Sequence, residues 1–385
     1  MDKEIKLVDI RAQYEEIRDE LHRHWDDVFR DMHLMLGPHQ NAFENEFAAY
    51  SGARFGVGVG SGTAAIHLGL LALGVRPGEE VIVPSFTFFA TVEAVVHCGA
   101  VPVLLDVEEA GATLSAEKVR AFIREKCTLR GQELINRASG RRVRALIPVH
   151  LYGMPAEMDE LMDIARENGL QVLEDCAQAH GAEFRGRKAG SFGDAAAYSF
   201  YFSKNLSALG EGGIVLTSRE DVRDAVQRLR LHGQTDKYTH NEIGFNSRLD
   251  EIQAVVLRLK LQKLDRWNQR RIELAARYDN ALRDLPLKFF VPLEGRRAVY
   301  HLYVIRTARR DALADYLRDR KIGVGVHYPI PCHLQPGVHD LGYSRGDLPV
   351  SERLAAEVLS LPMHPHLSEM DVDRVAQAIR EFFKE

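Results

Sequence analysis

Lys204 lies in Ser199-Phe200-Tyr201-Phe202-Ser203-Lys204-Asn205-Leu206, just before the glycine-rich Leu209-Gly210-Glu211-Gly212-Gly213. Upstream, Leu173-Glu174-Asp175-Cys176-Ala177-Gln178 closes an apolar run on a carboxylate, and Gly60-Ser61-Gly62-Thr63-Ala64-Ala65 is a small-residue turn that opens an apolar helix. The amine can condense with an aldehyde. The carboxylate can pair with a protonated ring nitrogen. The N–H groups of a helix start can take a phosphate. Together these are what a protein needs to hold pyridoxal phosphate.

Each part has its own chemistry and its own plainer reading. A free lysine titrates near pH 10.4 and becomes a nucleophile only when burial or a nearby cation lowers that value. Phe200, Tyr201 and Phe202 can supply the apolar surroundings. Asp175, at the end of an apolar strand, points to the ligand side of a parallel sheet. It would keep a pyridine nitrogen protonated, so that the ring withdraws electrons from the reacting carbon. Gly62 and Thr63 offer unhindered N–H groups backed by the helix dipole, and Ser199 can add a hydroxyl to the same phosphate. Phe88, in Pro84-Ser85-Phe86-Thr87-Phe88-Phe89, starts a helix at a strand end, where a flat ring can stack on a cofactor. Taken singly, Lys204 reads as a surface lysine, Asp175 as a turn cap, Ser-Gly-Thr as a helix cap and Phe88 as core. His150, His180, His327 and His333 lack metal-ligand spacing, and Pro365 between His364 and His366 favours a loop, so no metal is assigned.

The elements that must position these residues alternate. Residues 11–31 have helical spacing and read as one amphipathic helix. Strands are expected at 55–59, 81–84, 101–106, 143–149 and 170–175. Helices are expected between them at 61–73, 88–97, 115–124 and 156–168. This is the pattern of βαβ units and a mostly parallel sheet, which binds ligands beyond the carboxyl ends of its strands. Strands at 195–200 and 214–217 flank the Lys204 loop, and a helix covers 220–231. Residues 232–248 read as a long polar loop. A long helical pattern over 249–282 opens a second lobe, with strands near 299–307 and 324–327 and a last helix at 370–383. The fold class is therefore α/β. A large domain with a mostly parallel mixed sheet flanked by helices covers 1–248, and a smaller α+β domain covers 249–385. Segment 124–144 carries seven Lys/Arg against Glu125 and Glu133 and reads as a solvated, extended loop, with contact to an anionic substrate as the second reading.

The chain has 385 residues and a net charge of -5, which argues against a nucleic-acid-binding protein. Cys98, Cys127, Cys176 and Cys332 are far apart and form neither a zinc motif nor a disulfide framework. The first residues lack the apolar run of a signal peptide, and no stretch is apolar enough to span a membrane. A cytoplasmic protein is expected.

These motifs together resemble the DegT/StrS family of sugar aminotransferases, pyridoxal-phosphate enzymes of fold type I. The resemblance runs from about residue 5 to 380. It is carried by Ser61-Gly62-Thr63-Ala64-Ala65, Pro84 to Phe88, Glu174 to Gly181, Ser199 to Asn205 and Gly210 to Gly213. Gly244-Phe245-Asn246-Ser247-Arg248-Leu249-Asp250 and Gly325-Val326-His327-Tyr328-Pro329 carry it further. It implies that Lys204 is the Schiff-base lysine and acid/base, and that Asp175 is the pyridinium partner. Gln178 would lie against the ring near its phenolic oxygen. Gly62, Thr63 and Ser199 would be phosphate ligands, and Phe88 the aromatic on the ring face. Asn246 would reach the phosphate of a second subunit, which implies a homodimer with shared active sites. The implied reaction moves an amino group from an amino acid, usually glutamate, to a keto group on a nucleotide-linked sugar, in amino-sugar biosynthesis. Relatives that dehydrate carry histidine at the lysine position, so Lys204 favours transfer. A cyclitol aminotransferase, a dehydratase and a non-catalytic regulator that binds the cofactor are the other readings. Arg248 is the one arginine singled out for the donor carboxylate, with a structural ion pair as its other reading.

Overall fold

A computed structural model describes residues 4–292 and 294–384. Its centre is a nine-stranded mixed sheet. In chain order the strands are β1 (Phe55–Val59), β2 (Glu80–Pro84), β3 (Val101–Leu105), β4 (Cys127–Arg130), β5 (Glu133–Asn136), β6 (Arg142–Leu146), β7 (Gln171–Asp175), β8 (Ala195–Ser199) and β9 (Gly213–Thr217). Their spatial order is β1-β9-β8-β7-β6-β2-β3. The pairs from β8 to β3 are parallel, and β9 runs antiparallel to both of its neighbours. The near-continuous apolar runs, such as Glu80-Val81-Ile82-Val83-Pro84 and Ala195 to Ser199, are buried along their whole length, as a sheet covered on both faces requires. The parallel strands β7 and β8 therefore deliver Asp175 and Ser199 to the same edge.

A second core gathers Leu274, Tyr278, Leu313, Leu317, Val375 and Ile379 with Tyr303, Ile305, Leu359 and Leu361 of a small antiparallel sheet. Ile5 joins this core. Its N–H donates to Lys321 O at 2.9 Å, and Gly323 N–H donates to Ile5 O at 2.8 Å. The first described residues are thus sewn to the C-terminal part of the chain, which leaves Leu7 and Val8 on the wall of the main cavity. The helix Glu251–Leu261 packs instead on the large-sheet side, where Val255, Val256 and Leu259 meet Ile17, Leu21 and Val28.

Several expectations change. The helix expected over 11–31 is two, Ile10–Glu15 and Arg18–Asp31, and Ile17 between them is buried in the cluster that holds Val255 and Val256. The helical pattern over 249–282 is likewise broken into Glu251–Leu261 and Leu264–Leu282. The extended loop at 124–144 is a β-hairpin, β4–β5, whose second strand pairs with β6. Its arginines hold the hairpin and its surroundings: Arg142 pairs with Glu133 at 2.7 Å, and Arg141 donates to Gly78 O at 3.1 Å. None of the residues 124–144 lines the main cavity of the chain. The 232–248 loop contains a short ladder between Gln234–Asp236 and Thr239–His240. The strand expected at 324–327 reduces to one bridge, Gly325 to Ser360. The helix after Phe88 begins at Ala90. A helix at Pro38–Ser51 was not anticipated. Its start is capped from far along the chain by Glu251, which accepts from His39 N at 2.5 Å and Gln40 N at 3.0 Å.

Candidate active site

A cavity of about 510 Å³ opens at the carboxyl ends of the parallel strands. It is lined by Ser61, Gly62, Thr63, Phe88, Asp175, Gln178, Ser199 and Lys204, all of them singled out from the sequence. Thr91, His301, His327 and Tyr328 line it too, and the residue reading gave them no role.

One end of the cavity is a cradle of backbone N–H groups. Ser61 caps the helix Gly62–Ala72, its Oγ accepting from Ala64 N at 3.1 Å. The N–H groups of Gly62 and Thr63, in the first turn, have no acceptor within the helix. Ser199 closes the cradle from β8. The approach is so tight that a Cβ on Gly62 would stand 2.4 Å from Ser199 Cβ and 2.9 Å from its Oγ. A Cβ on Gly213, between β1 and β8, would stand 2.2 Å from Ser61 O. Two glycines let three segments converge on one point, and the convergence presents N–H groups, a hydroxyl and a positive dipole end. That set fits a phosphate.

Asp175 and Lys204 face the middle of the cavity. Asp175 is buried and accepts from Thr91 Oγ1 at 2.8 Å and from Ala177 N at 3.1 Å, which fixes its carboxylate. Burial raises its pKa, and those two hydrogen bonds and the Lys204 charge pull the other way. Lys204 sits in the turn after β8, its N–H bonded to Tyr201 O at 2.9 Å. Burial of its ammonium lowers the pKa to about 8, and the attraction of Asp175 only partly offsets this. The two groups relieve each other, but desolvation dominates both. An amine with this pKa is partly neutral at physiological pH and available as a nucleophile. The carboxylate is placed to hold a proton on a ring nitrogen.

Gln178 spans the wall. Its Oε1 accepts from Tyr152 N at 2.7 Å and its Nε2 donates to Tyr328 Oη at 3.1 Å. Tyr152 is held in a left-handed conformation (φ 60°), and its hydroxyl donates to His327 O. Phe88 is 54% exposed, so it is not a core residue, and its ring lies 5.5 Å from that of Tyr328. The two rings, tilted by 38° to each other, form an aromatic part of the cavity wall that Lys204 also lines. His327 donates or accepts at Ser360 Oγ (2.8 Å), and burial, then the Lys204 charge, lowers its pKa to about 4.

Asn246 is not brought to this cavity. It is exposed on the 232–248 segment, where its Oδ1 accepts from Arg248. Arg248 is likewise absent from the wall. The cluster of His150, Glu174 and Cys176 is structural. Glu174 accepts from Gly190, Phe192 and Gly193 N–H groups at 2.7 Å each and from His150 Nε2 at 3.0 Å, while His150 Nδ1 accepts from Ala156 N. Thr91 had one signal in the sequence, its position one helical turn after Phe88. His301 had none, because it is far from the motif residues in the chain.

The family model for DegT/DnrJ/EryC1/StrS aminotransferases matches residues 15–380. A dTDP-3-amino-3,4,6-trideoxy-α-D-glucose transaminase of Streptomyces venezuelae is 43% identical over 379 residues, covering 98% of this chain and 96% of its own. A UDP-N-acetyl-3-dehydro-α-D-glucosamine 3-aminotransferase of Acidithiobacillus ferrooxidans is 41% identical over 376 residues, with 98% and 97% covered. A pleiotropic regulatory protein of Geobacillus stearothermophilus is 40% identical over 383 residues and 99% of each chain. The crystal structure of S. venezuelae DesV with a ketimine intermediate superposes with a TM-score of 0.93 at 42% identity, over all of both chains.

Proposed function

The chain belongs to the DegT/DnrJ/EryC1/StrS aminotransferase family, and from that premise we propose that it uses pyridoxal 5'-phosphate to move an amino group from an amino acid, glutamate foremost, to a nucleotide-linked keto sugar. The observation that carries this is the placing of Lys204 and Asp175 in one cavity with the N–H cradle of Gly62 and Thr63. When bound, the cofactor supplies the aldehyde and the electron-withdrawing ring that carry the amino group between two substrates. Gly62, Thr63 and Ser199 would bind its phosphate. Asp175, steadied by Thr91, would keep the ring nitrogen protonated. Gln178, fixed by Tyr152 and Tyr328, would orient the ring, and Phe88 would cover its face. Lys204 Nζ would hold the cofactor, then take the proton from the donor's α-carbon and return it to the carbon that bears the new amine.

The two transaminases above are named for dTDP- and UDP-linked sugars aminated at carbon 3. They support a nucleotide-linked 3-keto sugar as acceptor here, in amino-sugar biosynthesis. Asn246 stands on an exposed segment with Tyr238 and Ile243, which are 81% and 91% exposed. Such a segment suits a crossing to a second copy, with Asn246 reaching the partner's phosphate cradle in a homodimer. Among the described residues no helix is long and apolar enough to cross a membrane. The relative named as a regulator supplies a second reading, a binding protein without turnover. The intact Lys204 and Asp175 pair favours the enzyme.

The test is spectroscopic. Purified protein with pyridoxal phosphate should be yellow, borohydride should fix the cofactor mass on the peptide carrying Lys204, and glutamate should bleach the colour. Keto-sugar nucleotides should then restore it. A loaded protein that glutamate cannot bleach would favour the regulator, and an unlabelled Lys204 would end both readings.

A further inference from the structure

The wall of the Lys204 cavity holds a histidine whose tautomer is dictated by a chain of amides. Asn268 Nδ2 donates to His180 O at 2.7 Å. Asn268 Oδ1 therefore accepts from Asn205 Nδ2 at 2.9 Å, and Asn205 Nδ2 also donates to Val299 O at 3.0 Å. With both N–H bonds of Asn205 used, its Oδ1 is an acceptor, and it faces His301 Nδ1 at 3.3 Å. The proton of a neutral His301 must then sit on Nδ1, which leaves the lone pair on Nε2. His301 is 6% exposed and lines the cavity, and no described residue bonds its Nε2. The backbone beside it is held in a sparsely populated form. Tyr300 has φ 43°, and the buried Arg271 donates to Tyr300 O at 3.2 Å and to Met363 O at 2.9 Å.

We propose that His301 Nε2 is the hydrogen-bond acceptor for a hydroxyl of the sugar substrate, on a ring carbon beside the keto carbon, and that it sets the sugar's pose before Lys204. This rests on the transfer reaction proposed above. The amino-acid donor offers no match for the lone pair. Its carboxylate can only accept, and its amine is engaged in the transfer. Neutral donors remain on the sugar, hydroxyls and in a 2-acetamido sugar an amide N–H, and a hydroxyl stands beside carbon 3 in both sugars named for the relatives. Burial, with the charges of Lys204 and Arg271 next, holds the imidazole well below its usual pKa, so it stays neutral and acts as an acceptor rather than a base.

The experiment separates the two half-reactions in the cofactor-loaded protein. Glutamate probes the first. The dTDP- or UDP-linked 3-amino sugar that the wild type turns over probes the second in reverse. His301→Leu removes the acceptor, and His301→Gln offers an amide oxygen in its place. The expected result is a loss of about 10–100-fold in kcat/KM for the sugar half-reaction of His301→Leu, from the unpaired buried hydroxyl. Partial recovery is expected in His301→Gln, with the glutamate half-reaction within about threefold of wild type in both. NMR of isotope-labelled histidine, with the His301 signal assigned by its loss in His301→Gln, should show the Nδ1–H form with no titration across neutral pH. Equal losses in both half-reactions, an unaltered sugar half-reaction in His301→Leu, or an Nε2–H tautomer would overturn the proposal. A wild type that glutamate converts but no amino sugar reconverts would instead sink the substrate class of the proposed function. A wild type inert to both would sink the reaction itself.

Discussion

Gly62→Ala tests the cradle directly. The new Cβ would lie 2.4 Å from Ser199 Cβ, 2.9 Å from Ser199 Oγ and 3.0 Å from Ser199 Cα. Carbon atoms pack best at about 3.5–4.0 Å, so the helix start and β8 must separate by roughly 1 Å. Such overpacking costs about 1–3 kcal/mol. With an unfolding entropy of about 2.1 cal/mol/K per residue, or about 0.8 kcal/mol/K for this length, the cofactor-free chain should melt about 1–4 °C lower. The same 1 Å pulls two N–H groups off the phosphate. Each hydrogen bond to a charged group contributes about 1.5–3 kcal/mol, so cofactor affinity should fall at least about tenfold. Ser199→Gly removes the two atoms most at fault and leaves only the 3.0 Å contact to the 199 backbone. Alone it loses a hydroxyl and places glycine in a strand, at about 0.5–1 kcal/mol. In the double variant the stability losses should not add, with a coupling of about 1 kcal/mol or more in favour of the pair. Cofactor affinity should stay low, because the hydroxyl is gone. Thermal melts of the four cofactor-free proteins and pyridoxal phosphate titrations supply the numbers. Additive losses within about 0.5 kcal/mol would refute the reasoning, since they would mean that helix start and strand do not compete for the same space.

The other expectations concern charge and capping. With a pKa of about 8, Lys204 is roughly one-tenth neutral at pH 7, against about 0.03% for an ordinary lysine, so a deprotonated amine is already at hand. The rate at which cofactor-free protein takes up pyridoxal phosphate should climb about tenfold from pH 6 to 7 and level off above about pH 8. A rise continuing to pH 10 would show an unperturbed lysine. Asp175→Asn, of the same shape but without charge, should cut the glutamate half-reaction about 100-fold or more while the protein remains yellow, and stopped-flow absorbance reads both. Glu251→Gln weakens the cap on the helix Pro38–Ser51 and should lower stability in denaturant melts by about 1–2 kcal/mol with cofactor affinity unaltered.

The parts of the site legible in the sequence are those that local rules govern. A serine before a glycine and an apolar run makes a capped helix start. An apolar run that ends in a carboxylate makes a strand end, and in a parallel sheet all such ends face one way. Asp175, Ser199 and the Gly62 turn follow from these rules, since the register of β7 and β8 places the first two on one edge. The hairpin at 127–136 escaped because its charged residues suggest solvent, whereas its pairing to β6 is stabilised by arginines that bond main-chain oxygens and Glu133. The helix Pro38–Ser51 escaped because the carboxylate that caps it lies more than two hundred residues away. His301 escaped for the same reason at a finer scale. Its tautomer is fixed by Asn205 and Asn268, whose amides meet only when the helix Leu264–Leu282 folds onto the Lys204 loop. Residues clustered in short motifs, such as Ser61 to Thr63, are thus readable from one chain segment at a time. His301, proposed to face the second substrate, depends on contacts between distant segments. That difference explains why the residues of the cradle stand out in the sequence while the partners of His301 emerge only from the fold.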